Sequence, residues 1–240
     1  MVCKGSYMYD TKVVLAAIDA HAPYILALCG MAMLFNYIYF IDAARRGFRD
    51  KVYPFSVFST LFWLSGDSSV VLNYELAFHV VNHWYLKLFW VALVFTVAFE
   101  LLYLSMILRF GRKELAPDMG QPQFVATVLG GLVLMFIAYT FIKTRMGDTL
   151  VIDYFCLANL AGPAFGWFLV SRRKTRAGTS PLIWVCYTML VVCWSSALAL
   201  FFGAPFASPE YLTLYAVTIA ASVVVTLKVM RLPPAPHPAS

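Results

Sequence analysis

Charged residues are scarce in this sequence: Asp, Glu, Lys and Arg make up 12% of its 240 residues, whereas hydrophobic residues make up 62%. Soluble domains contain about 25% charged and about 45–50% apolar residues, so an ordinary soluble domain is excluded. The mean hydropathy of +0.77 indicates a polytopic membrane protein. We therefore attribute the net charge of +6 to membrane topology and contact with anionic lipid, and expect no nucleic-acid partner.

Cysteine and histidine are also few, and their spacing predicts no metal site, no cofactor and no disulfide framework. The cysteines show no Cys-x-x-Cys spacing, and four of them lie inside apolar runs. Glu75, His79 and His83 recur at i, i+4 and i+8, which places them on one helical face. A third ligand at a fixed close spacing is missing, which favours a solvated amphipathic cap or the mouth of a cavity over a metal site. The five cysteines are Cys3, Cys29, Cys156, Cys186 and Cys193.

Long apolar runs predict an all-α bundle of seven transmembrane helices, because about 20 apolar residues cross a hydrocarbon core of about 30 Å. Residues 1–232 are expected to form one domain, followed by a disordered tail at 233–240. The first 20 residues lack the pattern of a removed signal peptide and are expected to lie at the outer interface. The predicted spans are near 24–41, 54–73, 88–108, 123–143, 149–170, 181–203 and 211–230.

Lysine and arginine predict the orientation of this bundle, because short cytoplasmic loops hold the basic excess. Thirteen of the 18 basic residues fall on one side of the predicted spans, and they lie at 45–51, 109–113, 172–176 and 228–231. The N-terminus is therefore expected outside or in a lumen and the C-terminus in the cytoplasm. The plasma membrane and the endoplasmic reticulum both fit, and the sequence carries no indication of oligomeric state.

Three carboxylates within or at the border of the apolar runs are the first candidates for function. Asp67 lies well inside the second run and Glu100 inside the third, while Asp153 lies near the outer border of the fifth. A charged side chain in hydrocarbon needs a partner, a water-filled cavity or a bound proton, so intramembrane acids are often functional. Asp67 and Glu100 differ in depth by about 6 Å at 1.5 Å per residue. We expect both to face one cavity and to be catalytic.

Polar and aromatic side chains in other spans are candidates for binding a substrate. An amide in hydrocarbon needs a hydrogen-bond partner, so Asn36 is either a link between helices or part of a cavity wall. Tyr187 and Trp194 share one face at i, i+7, which is typical of packing but also suits a pocket whose rings stabilise a cation. The full candidate set for substrate binding is Asn36, Tyr37, Trp63, Asp153, Asn159, Tyr187 and Trp194.

Residues 36–67, NYIYFIDAARRGFRDKVYPFSVFSTLFWLSGD, resemble part of the integral-membrane terpene cyclases of meroterpenoid and indole-diterpene pathways. In that family an Asn-Tyr pair leads into a basic loop of the type RRGFKDKTYGMP and then a helix ending in Trp-Glu. Asn36-Tyr37, the loop 45–51 and Tyr53 match this pattern. Counting onward without gaps places Asp67 at the family's catalytic glutamate and Gly66 at its tryptophan. The likeness covers about residues 30–115, and the family's last-span acid has no counterpart here.

The resemblance implies a metal-free, non-redox enzyme in which a carboxylic acid protonates an epoxide or alkene of a prenylated lipophilic substrate. The resulting cation then closes rings, and Glu100 corresponds to a second acidic position of the family. An epoxide-opening or double-bond isomerase or hydrolase acting on a lipid-like substrate is an alternative. A small proton-coupled carrier would use intramembrane acids as well, although the two halves show no repeat. A structural membrane subunit remains the fourth interpretation.

Overall fold

The computed structural model describes residues 9–235. The chain is all-α and 83% helical, and no strand occurs among the described residues. Cys3 and positions 236–240 of the expected tail lie outside this range. A π-helical turn at Leu76–Val80 and a 3₁₀ turn at Ala204–Ala207 connect helices. The α-helices are α1 (Thr11–Ala20), α2 (Ala22–Asp50), α3 (Val57–Leu72), α4 (Trp84–Phe110), α5 (Arg112–Leu115), α6 (Gln121–Met146), α7 (Ile152–Arg172), α8 (Pro181–Phe201) and α9 (Pro209–Arg231).

Six of these helices, α2, α4, α6, α7, α8 and α9, are long and apolar enough to cross a membrane, so the chain is a multi-pass membrane protein. The run expected as the second span forms α3, which has 16 residues. At 1.5 Å per residue α3 is about 24 Å long, shorter than the hydrocarbon core. It begins where Ser56 accepts a 3.0 Å hydrogen bond from the Ser59 N–H.

Helix α3 is enclosed by its neighbours, because it packs against α4, α6 and α7. Ten of its residues are buried, among them Asp67. Helix α8 packs against α2 and α9, and α2 also contacts α4. Helix α3, which carries Asp67, therefore lies inside the bundle, where its polar side chains contact other parts of the protein.

One end of the bundle carries most of the basic residues, and an ion-pair network ties its loops together. Glu114 accepts hydrogen bonds from Arg172 and Arg173 at 2.7 and 2.8 Å. The Arg173 guanidinium also lies 4.3 Å from the ring centre of Tyr53. Although burial opposes it, the two arginines lower the pKa of Glu114. Asp42 pairs with Arg46 at 2.8 Å, as an acid at a basic helix end is expected to do.

At the other end of the bundle, the prediction that Glu75, His79 and His83 share one helical face is wrong. The helix there is a π turn that ends at Val80, and Asn82 then adopts a left-handed φ of 51°. His83 instead caps α4 and lies 3.0 Å from Asp19. Within residues 9–235 no group of three or more His, Cys, Asp or Glu is placed to hold a metal ion. The cysteines in that range are free.

Glycines on α7 let aromatic side chains of α8 approach its backbone closely. A Cβ on Gly162 would lie 2.1 Å from the Tyr187 hydroxyl oxygen, and one on Gly166 would lie 2.2 Å from the Trp184 ring. Only a residue without a Cβ fits at either position, as is typical of small residues between membrane helices. This packing fixes the position of Tyr187 against α7 at Gly162, the residue before the proline inside that helix.

Candidate active site

A cavity lies between α2, α3, α4, α7 and α8. Its volume is about 90 Å³, counted as the space that the centre of a water molecule can occupy. One water needs about 10–15 Å³ on this measure, so the cavity has room for several waters or a small part of an organic molecule. Six residues expected at a catalytic or binding site line it: Asn36, Trp63, Asp67, Asn159, Tyr187 and Trp194.

Asp67 forms part of the cavity wall and is 6% exposed. The hydroxyl of Thr96 lies 2.7 Å from Asp67 Oδ2 and 2.9 Å from the carbonyl oxygen of Leu93. A hydroxyl offers one hydrogen and two lone pairs. It can donate to an ionised Asp67, or accept from a protonated Asp67 while donating to Leu93. Thr96 therefore hydrogen-bonds both protonation states of Asp67 without moving.

Glu100 lies behind Asp67 rather than on the cavity wall, and is 1% exposed. Its carboxyl group is a direct neighbour of the Asp67 carboxyl. Its Oε2 atom has no hydrogen-bond partner among the described residues. Two adjacent carboxylates out of water repel each other and both lose hydration, so such a pair retains a proton. Asp67 and Glu100 thus form a pair of adjacent buried carboxyl groups, of which only Asp67 faces the cavity.

Two aromatic residues of the cavity are hydrogen-bonded to backbone carbonyls of α7 near Pro163, the proline inside that helix. Pro163 has no N–H, so the carbonyl oxygen of Asn159 loses the donor it would have in a regular helix. The Tyr187 hydroxyl donates to that oxygen at 2.7 Å. The indole N–H of Trp63 donates to the preceding carbonyl, that of Ala158, at 2.9 Å. Their hydroxyl and indole groups are thereby engaged by protein, and their rings face the cavity.

Aromatic rings dominate the rest of the cavity wall. The rings of Trp63 and Tyr187 are stacked with centres 6.3 Å apart, and those of Phe89 and Trp194 are stacked at 6.0 Å. A cation within about 6 Å of such a ring is attracted by its quadrupole. The cavity thus combines one buried carboxyl group, that of Asp67, with aromatic surfaces that favour a positive charge.

Sequence reasoning missed Phe89 and Thr96, although α4 carries a signal for both. Phe89, Leu93, Thr96 and Glu100 recur at i, i+4, i+7 and i+11, which is one face of a helix. A candidate acid on that face marks the other residues of the stripe as possible neighbours. Thr96 lies one turn before Glu100, so this spacing identifies Thr96 as a neighbour of the candidate acid on α4.

Two candidate residues lie away from the cavity wall. The Tyr37 hydroxyl donates to the carbonyl oxygen of Ala92 at 3.1 Å and links α2 to α4. Asp153 accepts a hydrogen bond from the Tyr211 hydroxyl, while its Oδ2 has no partner among the described residues. The structure therefore gives Tyr37 and Asp153 contacts with other helices, and neither lines the cavity with Asp67.

The glycine that precedes Asp67 is explained by packing on the other side of α3. A Cβ on Gly66 would lie 2.1 Å from the ring of Tyr154. The Tyr154 hydroxyl donates to the carbonyl oxygen of Phe62 at 2.5 Å, so the ring is held against α3. A larger residue at position 66 would displace Tyr154 and rotate the helix that carries Asp67.

Comparisons of the chain with protein-family models, with curated proteins and with solved structures found no match. A functional assignment therefore depends on the geometry around Asp67 and on the sequence pattern. Asn36 and Asp67 belong to that sequence pattern and also line the cavity.

Proposed function

We propose that this chain is a membrane-embedded, cyclase-like enzyme. In this proposal Asp67 is the general acid that protonates an alkene or epoxide of a lipophilic prenylated substrate. The observation that carries it is a buried carboxyl on the wall of an aromatic cavity, with a second buried carboxyl directly behind it. The likeness of residues 36–67 to the integral-membrane terpene cyclases supports the same chemistry, with Asp67 at the catalytic position.

The proposed step transfers the proton of Asp67 to an alkene carbon or to the epoxide oxygen. The alkene π electrons form the new C–H bond, or, in the epoxide, the electrons of the breaking C–O bond stay on the protonated oxygen. Either change leaves a carbocation. Further alkene π electrons form the new C–C bonds of the ring. Loss of a proton from a carbon beside the final cation returns a proton to the Asp67 carboxylate. The overall change is an isomerisation, so it requires no co-reactant.

The neighbours of Asp67 support each stage of this step. A protonated carboxyl is the acid, and a buried pair that retains a proton keeps it available. Once the proton has left, the Thr96 hydroxyl donates to the Asp67 carboxylate. The rings of Trp63, Tyr187 and Trp194 stabilise the cation. A substrate that fills the cavity displaces the waters that fit there, which limits capture of the cation by water.

We propose further that α3 is a seventh, short crossing and that the N-terminus lies outside or in a lumen. With seven crossings the loops alternate so that the basic segments 45–51, 109–113 and 172–176 share one side. The ion-pair network of Glu114 with Arg172 and Arg173 is consistent with this arrangement, because it joins two of these segments at one end of the bundle. The plasma membrane and the endoplasmic reticulum both agree with this topology.

The test is turnover by membranes containing the Asp67→Asn variant, compared with wild type. Epoxidised and unmodified prenylated aromatic compounds are supplied, and products are identified by mass spectrometry. General acid catalysis contributes about 10²–10⁴-fold, so Asp67→Asn should lose at least about tenfold while insertion and expression persist. Asp153→Asn is the matched control, since it removes a buried acid away from the cavity, and it should stay active.

The products separate the proposed reaction from its alternatives. A ring-containing isomer of the supplied substrate supports cyclisation. A diol, a carbonyl compound or a shifted double bond would indicate an epoxide-opening or isomerising enzyme, and proton-driven accumulation of an unchanged compound would indicate a carrier. Full activity of Asp67→Asn on a verified substrate would show that Asp67 is not the general acid.

A further inference from the structure

A second cavity adjoins the first and lies between the N-terminal halves of α2 and α4. The two cavities share three wall residues, Met33, Phe89 and Trp194. The second has a volume of about 140 Å³ on the same measure. Its wall, which is formed by described residues, contains no Asp, Glu, Lys, Arg or His. Such a space suits hydrocarbon, because no charge in it needs a partner.

The helical register places the two cavities end to end. On α2, Cys29 and Met33 line the second cavity, and Met33, Asn36 and Phe40 line the first. These positions follow each other at four, three and four residues, so they form one stripe along the helix. From Leu26 to Phe40 the stripe is about 21 Å long at 1.5 Å per residue. The combined space is therefore elongated, with Asp67 near one end.

The far end of the second cavity opens toward the lipid-facing surface of the bundle. Leu26 and Leu88 belong to its wall and are 49% and 53% exposed. Gly30 is exposed as well, and a Cβ placed on it would meet no atom within 4 Å. In a multi-pass membrane protein, an apolar opening at such a surface communicates with the hydrocarbon of the bilayer.

We propose that the second cavity holds the apolar chain of the substrate whose reacting end contacts Asp67, and that this chain enters from the bilayer between α2 and α4. The proposal rests on the proposed function and adds the path and the shape of the substrate. The reacting alkene or epoxide lies at the Asp67 end, and the remaining prenyl chain extends past Met33 and Phe89 toward Gly30. Because Gly30 has no side chain, it leaves the opening free and limits neither the width nor the length of the substrate chain.

The continuity of the two cavities favours this occupant over a bilayer lipid. A lipid acyl chain in the second cavity would occupy the space beside Met33, Phe89 and Trp194, which also line the first cavity. A substrate chain in the same space instead leads into the first cavity, where the Asp67 carboxyl group forms part of the wall. Binding of an ordinary lipid chain is therefore the alternative that the experiment must separate.

The experiment uses the full chain in phosphatidylcholine nanodiscs and a geranylgeraniol analogue that carries a diazirine near its hydroxyl end. After irradiation, labelled peptides are mapped by tandem mass spectrometry. Label is expected within residues 26–33 and 84–92, and excess geranylgeraniol should displace it better than excess stearic acid. Equal displacement by stearic acid, or label confined to other lipid-facing helices, would overturn the proposal.

Two variants from opposite walls make the assignment specific. Gly30→Phe and Ala92→Leu should each reduce labelling about tenfold or more by filling the second cavity. Gly130→Phe is the matched control, because a Cβ on Gly130 also meets no atom within 4 Å and Gly130 lies on α6, outside both cavities. Labelling of both cavity variants at the wild-type level would contradict the proposal.

Asp67→Asn separates this proposal from the proposed function. It should retain labelling, since the chain binds away from the carboxyl group, while turnover falls. If Asp67→Asn is fully active and labelling still depends on Gly30, the general-acid role is wrong and the chain site stands. If Asp67→Asn is inactive and labelling is indifferent to Gly30, the chain site is wrong and the general-acid role stands.

Discussion

The Tyr187 hydroxyl donates a 2.7 Å hydrogen bond to the Asn159 carbonyl oxygen, the acceptor that Pro163 leaves without its helical donor. Two unrelated features of the sequence, a tyrosine on α8 and a proline on α7, thereby become one structural unit. Asn159 and Tyr187 both line the cavity. The effect of this unit is to hold an aromatic ring next to Trp63, where a developing cation would be stabilised.

Tyr187→Phe should destabilise the protein by about 1–3 kcal/mol, because the Asn159 carbonyl is left buried without a donor. The measurement is the thermal unfolding of purified protein in detergent. Pro163→Ala supplies a backbone N–H for the same carbonyl, so the double variant Pro163→Ala/Tyr187→Phe should recover at least half of the loss. Additive losses in the double variant would show that the hydroxyl and the proline act independently.

Gly66→Ala should lower both thermal stability and turnover, since its Cβ would lie 2.1 Å from the Tyr154 ring and force α3 to shift. The expected destabilisation is about 1–3 kcal/mol, as for overpacking of a well-filled core. Gly130→Ala is the control: its Cβ meets open space. That control should be neutral or stabilising by up to about 1 kcal/mol, because alanine favours a helix. Equal behaviour of the two variants would contradict the packing explanation.

The sequence indicated the helical bundle and the acids because both depend on local composition. Asp67 and Glu100 stand out as acidic residues within apolar runs, whatever the fold, because burying a charge in hydrocarbon is costly. The length of the helix in the second apolar run was harder to predict, since a hydropathy run does not show where a helix begins and ends. The run 54–73 contains α3 of 16 residues, bounded by the Ser56 cap and by Asn73.

The positions of the candidate residues relative to the cavity have geometric causes. Of the adjacent residues Asn36 and Tyr37 only Asn36 lines the cavity, while the Tyr37 hydroxyl donates to the Ala92 carbonyl oxygen on α4. Asp153 is six residues before Asn159, a spacing that also places the two on different faces of α7. Glu75, His79 and His83 do not share a helical face, because the segment forms a π turn and Asn82 adopts a left-handed conformation. Sequence periodicity reveals neither feature.

Thr96→Val should reduce turnover about tenfold, whereas Thr96→Ser should remain near the wild-type rate. The valine removes the hydroxyl that lies 2.7 Å from Asp67, so the carboxylate formed after proton transfer loses a donor worth about 1.5–3 kcal/mol. Initial rates at saturating substrate give the comparison. If Thr96→Val and Thr96→Ser are equally active, the hydroxyl has no part in the reaction.

Glu100→Met should stabilise the protein and impair it as an enzyme. Glu100 is buried, one of its oxygens has no partner among residues 9–235, and it faces a second carboxyl. Replacing such a group by an apolar side chain of similar length removes a desolvation cost, so the unfolding temperature should rise. Turnover should fall more than about tenfold, because Asp67 loses the neighbour that shares its proton. Glu100→Gln, which keeps shape and polarity, should also be slow but should not gain stability to the same extent. A Glu100→Met protein that is both more stable and fully active would assign Glu100 to packing, and Asp67 would then act alone.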